Sequence, residues 1–138
     1  MKAIVDTCVW SLSLRRKDPN RLSEEEQRWL AQLREVIQDN RAAIIGPIRQ
    51  EILSGIRDRA QFAKTESLLE PFLSEETTAA DYIEAARLFN LCRDHGIECG
   101  PIDIVVCAAA IRLGYEVLTY DRGMLRCIEA LRAEGFKL

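Results

Sequence analysis

The stretch GPIDIVVCAAAIRLGYEVLTYD, residues 100–121, reads as a helix that feeds directly into a buried strand. Pro101 suits a first helical turn, where a missing N–H costs nothing, and Asp103 in that turn faces the positive end of the helix dipole. Gly114 ends the helix. Ala108, Ala109 and Ala110 let it lie close against its neighbours, while Ile104, Val105, Ile111 and Leu113 supply apolar surface on most sides, the pattern of a core helix. Glu116-Val117-Leu118-Thr119 follows at once as a short strand, and Tyr120-Asp121-Arg122-Gly123 has the composition of a turn that opens another helix. An aspartate near a helix start is explained by capping alone. What points beyond capping is the pair, Asp103 and Asp121, directed to one end of a sheet.

Composition bounds the rest. A chain of 138 residues with 48% apolar content predicts one domain, residues 1–138, with a proper core. No apolar run approaches the roughly 20 residues needed to cross a bilayer, and the first residues lack the pattern of a signal peptide, so a cytoplasmic location without membrane association is expected. Cys8, Cys92, Cys99, Cys107 and Cys127 form no C-x-x-C pair and lie mostly in apolar segments, so they read as reduced core thiols, neither disulfides nor zinc ligands. A net charge of −3 argues against holding nucleic acid by bulk electrostatics and leaves room for a local basic patch.

Lys2-Ala3-Ile4-Val5 is a short apolar strand, and Asp6-Thr7 follows it as a capping pair. A third acid thus stands at a strand end. Val9, Trp10, Leu12 and Leu14 continue into a helix closed by Arg15-Arg16-Lys17, cations suited to its negative end. Asp18-Pro19-Asn20 breaks that helix, Ser23 and Glu26 have capping-box spacing, and the stripe of Trp29, Leu30, Leu33, Val36 and Ile37 predicts a second helix to about Asn40. Both Trp10 and Trp29 are read as core. Ala42-Ala43-Ile44-Ile45 is the second strand, and Pro47 opens a helix carrying Ile48, Glu51, Ile52 and Ile56. Glu51 has a bland reading as a solvated face, but Gly55 one turn later leaves space beside it, as a cleft requires. A helix from Arg57 to Leu69, a short strand at Phe72-Leu73 and a long helix capped by Thr78 follow. His95 at the end of that helix is read as exposed and dipole-stabilised. A last helix over Met124 to Glu134 and an edge strand at Phe136-Lys137-Leu138 complete the expectation.

Short apolar strands alternating with helices predict an α/β fold with a mostly parallel sheet covered on both faces, whose ligands sit beyond the carboxyl ends of the strands. Asp6, Glu51, Asp103 and Asp121 are placed to meet there. Two like charges about 4 Å apart repel by roughly 4 kcal/mol at an effective dielectric of 20, so gathered carboxylates need a cation or raised pKa values. All-oxygen ligation suits Mg²⁺ or Mn²⁺. Metal-free RNA cleavage wants an acid and a base titrating near neutrality, and this chain offers only His95.

Asp6-Thr7 after the first strand, Glu51 in QEILSG, Asp103 in PIDIVVCAAA and Asp121 in LTYDRGM together resemble the PIN domain, and most of all its VapC-type toxins. The likeness runs along essentially the whole chain in matching order. It implies a PIN-like three-layer α/β/α sandwich and a Mg²⁺- or Mn²⁺-dependent endoribonuclease acting on RNA through a metal-activated water. It also implies a cognate antitoxin that blocks the acidic cleft, and a homodimer. Asp6, Glu51, Asp103 and Asp121 would then be the catalytic and metal-binding acids, supported by the Thr7 or Thr119 hydroxyl. Gly123 and Met124 depart from the family, standing where a further polar or acidic residue and a phenylalanine often occur. Two rivals remain: a PIN-like module that binds RNA or protein without cutting, and a receiver-type phosphoacceptor switch. The latter predicts adjacent acids after the first strand and a lysine after a late strand, neither of which is found.

Overall fold

The computed structural model describes residues 1–14 and 18–138. The predicted cation run at Arg15-Arg16-Lys17 lies outside the described residues. In chain order the elements are β1 (Ala3–Val5), α1 (Thr7–Leu14), α2 (Glu24–Gln38), β2 (Ala42–Ile45), α3 (Gly46–Ser54), α4 (Arg59–Leu69), β3 (Leu73–Glu75), α5 (Ala79–Asp94), α6 (Pro101–Leu113), β4 (Glu116–Leu118) and α7 (Arg122–Ala133), with a 3₁₀ turn at Pro19–Arg21 before α2.

The strands form one four-stranded sheet in the order β3-β2-β1-β4, parallel throughout. Ala3, Ile4 and Val5 of β1 pair with Glu116, Val117 and Leu118 of β4, while Ala3 and Ile4 pair with Ala42 and Ala43 of β2. Every residue of β1 and β2 is buried, which explains why both read as unbroken apolar runs without alternation. From β1 through β2 to β3 the chain steps one way across the sheet, then returns past β1 to β4. Right-handed crossovers therefore put α1 to α4 on one face and α5 and α6 on the other, giving the PIN-like α/β/α sandwich. The return creates a switch point between β1 and β4, where an open parallel sheet offers a crevice at its carboxyl edge.

The helix of the deciding stretch is buried on all sides from Ile104 to Ala110. It packs against α3, α5 and α7 as well as β4. Its small residues permit that crowding, and Gly114 ends it at φ 69° while its N–H reaches the Ala110 and Ile111 carbonyls. Gly100 is the N-cap and Pro101 opens the helix, so Asp103 falls in its first turn at the carboxyl edge of the sheet. Ser23 and Glu26 form the predicted capping box on α2. Trp10 is buried against the Phe72 ring, whereas Trp29 is only half-buried and stacks on Tyr120.

Two expectations fail. Phe136-Lys137-Leu138 is not a strand. Gly135 turns the chain at φ 94°, its own N–H and that of Phe136 bond the Arg132 and Leu131 carbonyls, and Arg132 Nε reaches the Leu138 carbonyl at 2.8 Å. The tail thus folds back as a cap on α7 and never reaches the sheet edge. Nor are all the cysteines reduced. Cys99 and Cys127 form a disulfide, with Cα atoms 6.0 Å apart, while Cys8, Cys92 and Cys107 are free. The pairing escaped the sequence reading because it depends on α7 folding back against the start of α6 after a three-residue strand.

Candidate active site

Asp6 is the first residue past β1, and its N–H extends the ladder to the Leu118 carbonyl at 2.9 Å. The residue as a whole is only 5% exposed. One carboxylate oxygen accepts the Thr7 N–H at 2.9 Å and the other accepts the Thr119 hydroxyl at 2.7 Å. Burial pushes the Asp6 pKa above the usual carboxylate range, those two hydrogen bonds oppose the rise, and the charges of Glu51 and Asp121 add to it. The buried Thr119 hydroxyl also accepts the Asp121 N–H at 3.1 Å, so one side chain ties the end of β1 to the segment after β4. Of the two predicted supporting hydroxyls, Thr119 fills that role. Thr7 supplies its backbone N–H instead, and its Oγ1 is buried with no hydrogen-bond partner among the described residues.

Asp121 caps α7, its Oδ2 accepting the Met124 N–H at 2.8 Å. Gly123 stands where a side chain would intrude: an added Cβ would lie 3.2 Å from that same oxygen. Gly100 backs Asp103 in the same way, also at 3.2 Å. The half-buried Asp103 carboxylate accepts no hydrogen bond among the described residues. Burial first, and then the charges of Asp6, Asp121 and Glu51, push its pKa from 3.8 to about 6. Glu51 is exposed on α3 and reaches the same space.

All four predicted acids line one cleft of about 420 Å³, together with Thr7, Cys8, Ser11, Leu12, Glu26 and Tyr120. No lysine, arginine or histidine belongs to that lining among the described residues. His95 lies elsewhere, its Nε2 2.6 Å from the Glu134 carboxylate. Five lining residues were missed by sequence reasoning, and three of them, Cys8, Tyr120 and Glu26, bear titratable groups. Cys8 lies two residues after Asp6, with its Sγ 3.6 Å from Thr119 Oγ1 and 3.8 Å from Asp6 Oδ2. Tyr120 adjoins Asp121 in the chain. Glu26 was hidden by its legible role as the capping-box acid, and only the packing of α2 shows that the same side chain borders the cleft.

This donor set fits a hard divalent cation by its chemistry: four carboxylates, that of Asp103 half-buried and accepting no hydrogen bond among the described residues, and no basic side chain in the described lining to neutralise them. Among the described residues no three Asp, Glu, His or Cys side chains converge to metal-holding distance, so the shell would include water.

A second groove, apolar and about 530 Å³, joins this cleft through Thr7, Ser11 and Glu51 and runs over Leu14, Ile52 and Ile56 toward Arg57 and Gln61.

The PIN domain family model matches residues 3–128. The chain belongs to the PIN domain family. Solved structures of similar fold include FitAB bound to a DNA fragment, at 18% identity and TM-score 0.71, covering 91% of this chain and 90% of that one. VapBC2 from Rickettsia felis, bound to a DNA fragment from its promoter, is 15% identical at TM-score 0.66, covering 88% of each chain. Mycobacterium tuberculosis VapC20, described as a sarcin-ricin loop cleaving toxin, is 17% identical at TM-score 0.65, covering 99% of this chain and 97% of that one. No curated protein matches significantly in sequence. Membership of the PIN family agrees with the strand order, which is not the 2-1-3-4-5 order of receiver-type switches.

Proposed function

We propose that this PIN domain protein is a Mg²⁺- or Mn²⁺-dependent endoribonuclease, the toxin of a type II toxin–antitoxin pair, acting as a single domain in the cytoplasm. The observation that carries the reading is the convergence of Asp6, Glu51, Asp103 and Asp121 on one cleft without a basic side chain in its described lining. Asp6, Asp103 and Asp121, with Glu51 beside them, would hold the cation. A bound divalent ion supplies charge neutralisation for the scissile phosphate and acidifies a water for in-line attack.

The protein's own residues do the rest. Thr119 holds Asp6 and the Asp121 backbone in one frame. The α7 N-terminus fixes one oxygen of Asp121 and leaves the other for the cleft. Asp103, whose pKa burial and the neighbouring carboxylates raise to about 6 in the metal-free cleft, carries the charge that a bound cation would compensate. Cleavage by this route leaves 3′-hydroxyl and 5′-phosphate ends.

The adjoining apolar groove fits an apolar peptide of the antitoxin, with a basic side chain reaching into the acids. The exposed Tyr82 and Ile83 on α5 suit burial in a homodimer. The rival, a module that binds RNA or protein without cutting, draws on the absence of a converged metal cage among the described residues. One assay separates them. Purified protein is incubated with structured and single-stranded RNA in Mg²⁺, Mn²⁺ or excess chelator, beside Asp103→Asn and Asp6→Asn. Cutting that needs the metal and both acids supports the nuclease. Binding without cutting in every metal supports the module, and undiminished cutting in chelator refutes metal dependence.

A further inference from the structure

The disulfide joins the two helices that carry half of the acidic site. Cys99 lies one residue before the N-cap of α6 and four before Asp103, and Cys127 lies on α7 six residues after its capping Asp121. The covalent loop between them therefore contains Asp103, Tyr120 and Asp121, everything the C-terminal half contributes to the described cleft lining, together with Thr119, which bonds Asp6. Apart from the apolar packing of α6, no side-chain hydrogen bond holds the start of that helix: Gly100 provides no side-chain cap, and the Asp103 carboxylate accepts no hydrogen bond among the described residues. Mutual repulsion among the acids pushes α6 and α7 apart, and the sulfur bridge opposes that separation.

We propose that Cys99 and Cys127 are a thiol–disulfide switch on the acidic site: bonded, they hold the starts of α6 and α7 at the spacing the cleft needs, and opened, they release it. The nuclease consequence rests on the function proposed above. Cys99, in the loop between α5 and α6, is the entry point at 5% exposure, and Cys127, at 0%, is the resolving thiol. Closure is exchange with a small disulfide such as glutathione disulfide. The Cys99 thiolate attacks one sulfur and expels one glutathione thiolate. The Cys127 thiolate then attacks Cys99 Sγ in the mixed disulfide and expels the second. Two protein thiols and one glutathione disulfide become one protein disulfide and two glutathiones, so atoms and electrons balance. Of the three remaining thiols, Cys92 and Cys107 compete poorly, because both are buried with raised pKa values, that of Cys107 reaching about 12. A disulfide that opens and closes also accords with a cytosolic setting, where lasting ones are rare.

The test equilibrates the full-length protein with glutathione disulfide or with excess reduced glutathione and reads three quantities. Alkylation under denaturing conditions with mass spectrometry should find three free thiols when oxidised, at Cys8, Cys92 and Cys107, and five when reduced. Amide hydrogen exchange over residues 99–106 and 119–127 should quicken at least tenfold on reduction. RNA cleavage in Mg²⁺ should fall at least tenfold. The Cys99→Ala/Cys127→Ala variant should resemble the reduced protein in both buffers, and reduction of the wild type gives the same information if that variant fails to fold. Five free thiols in glutathione disulfide overturn the switch, as does unchanged exchange on reduction, or measurable cleavage that is equal in both states. If neither state cuts RNA while exchange still responds to reduction, the switch stands and the nuclease reading falls.

Discussion

Asp103→Asn should stabilise the metal-free protein, and the size of the gain should depend on pH. In the folded chain burial and three neighbouring carboxylates raise the Asp103 pKa from 3.8 to about 6, so its charge opposes folding. That cost is absent well below pH 3.8, grows as pH rises toward about 6, and is fully present above it. At about 1.4 kcal/mol per pKa unit the unscreened penalty is about 3 kcal/mol, and solvent screening of this half-buried carboxylate reduces it to about 2 kcal/mol. Asparagine removes it but forfeits about 0.5–1 kcal/mol of favourable interaction between a carboxylate and the α6 N-terminus, leaving a net gain of about 1 kcal/mol at pH 8. For a chain of this length, an unfolding entropy of about 2.1 cal/mol/K per residue makes that about 3 °C in Tm. At pH 4 the folded carboxyl is protonated, so little penalty remains to be relieved and no carboxylate–dipole interaction is lost, and the two proteins should melt nearly together. Calorimetric melts in chelator at both pH values provide the comparison. Millimolar Mn²⁺ should then stabilise the wild type at pH 8 and the variant much less, since a ligand that prefers the folded state acts by mass action. No gain at pH 8, or an equal gain at both pH values, would show that Asp103 does not share its cleft with other charges.

Thr119→Val removes the hydroxyl that serves both Asp6 and the Asp121 N–H, and it should cost about 1–3 kcal/mol in denaturant unfolding and reduce RNA cutting. Gly123→Ala improves helix propensity by up to about 1 kcal/mol while crowding the Asp121 carboxylate, so stability should hold or rise as cleavage falls; unimpaired cleavage would mean that Asp121 needs no fixed position. Arg112→Met leaves the buried Asp81, bonded at 2.6 and 2.9 Å, without its guanidinium and should destabilise by about 2 kcal/mol. Because those bonds hold the Asp81 pKa below 3.8, that stabilisation is present above the unfolded pKa and lost as pH falls through the folded one, so the variant should show a flatter acid limb in pH-dependent melts. Reducing the Cys99–Cys127 bond frees a loop of 28 residues and should lower stability by about 3.5 kcal/mol on the chain-entropy account.

What was legible in the chain is what local chemistry dictates. Apolar runs at Ala3–Val5 and Ala42–Ile45, the Ser23 capping box, the Thr78 cap, Pro101 and Gly114 at the two ends of α6, and acids just past strand ends each obey rules spanning a few residues. They suffice for an α/β chain and for nominating Asp6, Glu51, Asp103 and Asp121. The tertiary structure alone decided which hydroxyl serves Asp6, because Thr7 and Thr119 are equally plausible by position and only β1–β4 pairing brings Thr119 to it. It likewise revealed Glu26 as a bordering acid, since a capping side chain carries no sign of what its other side faces. It folded Phe136–Leu138 onto α7, where a glycine at positive φ outweighs β propensity. It joined Cys99 to Cys127, because proximity between residues far apart in sequence is set by how helices pack against one sheet and leaves no trace in local composition.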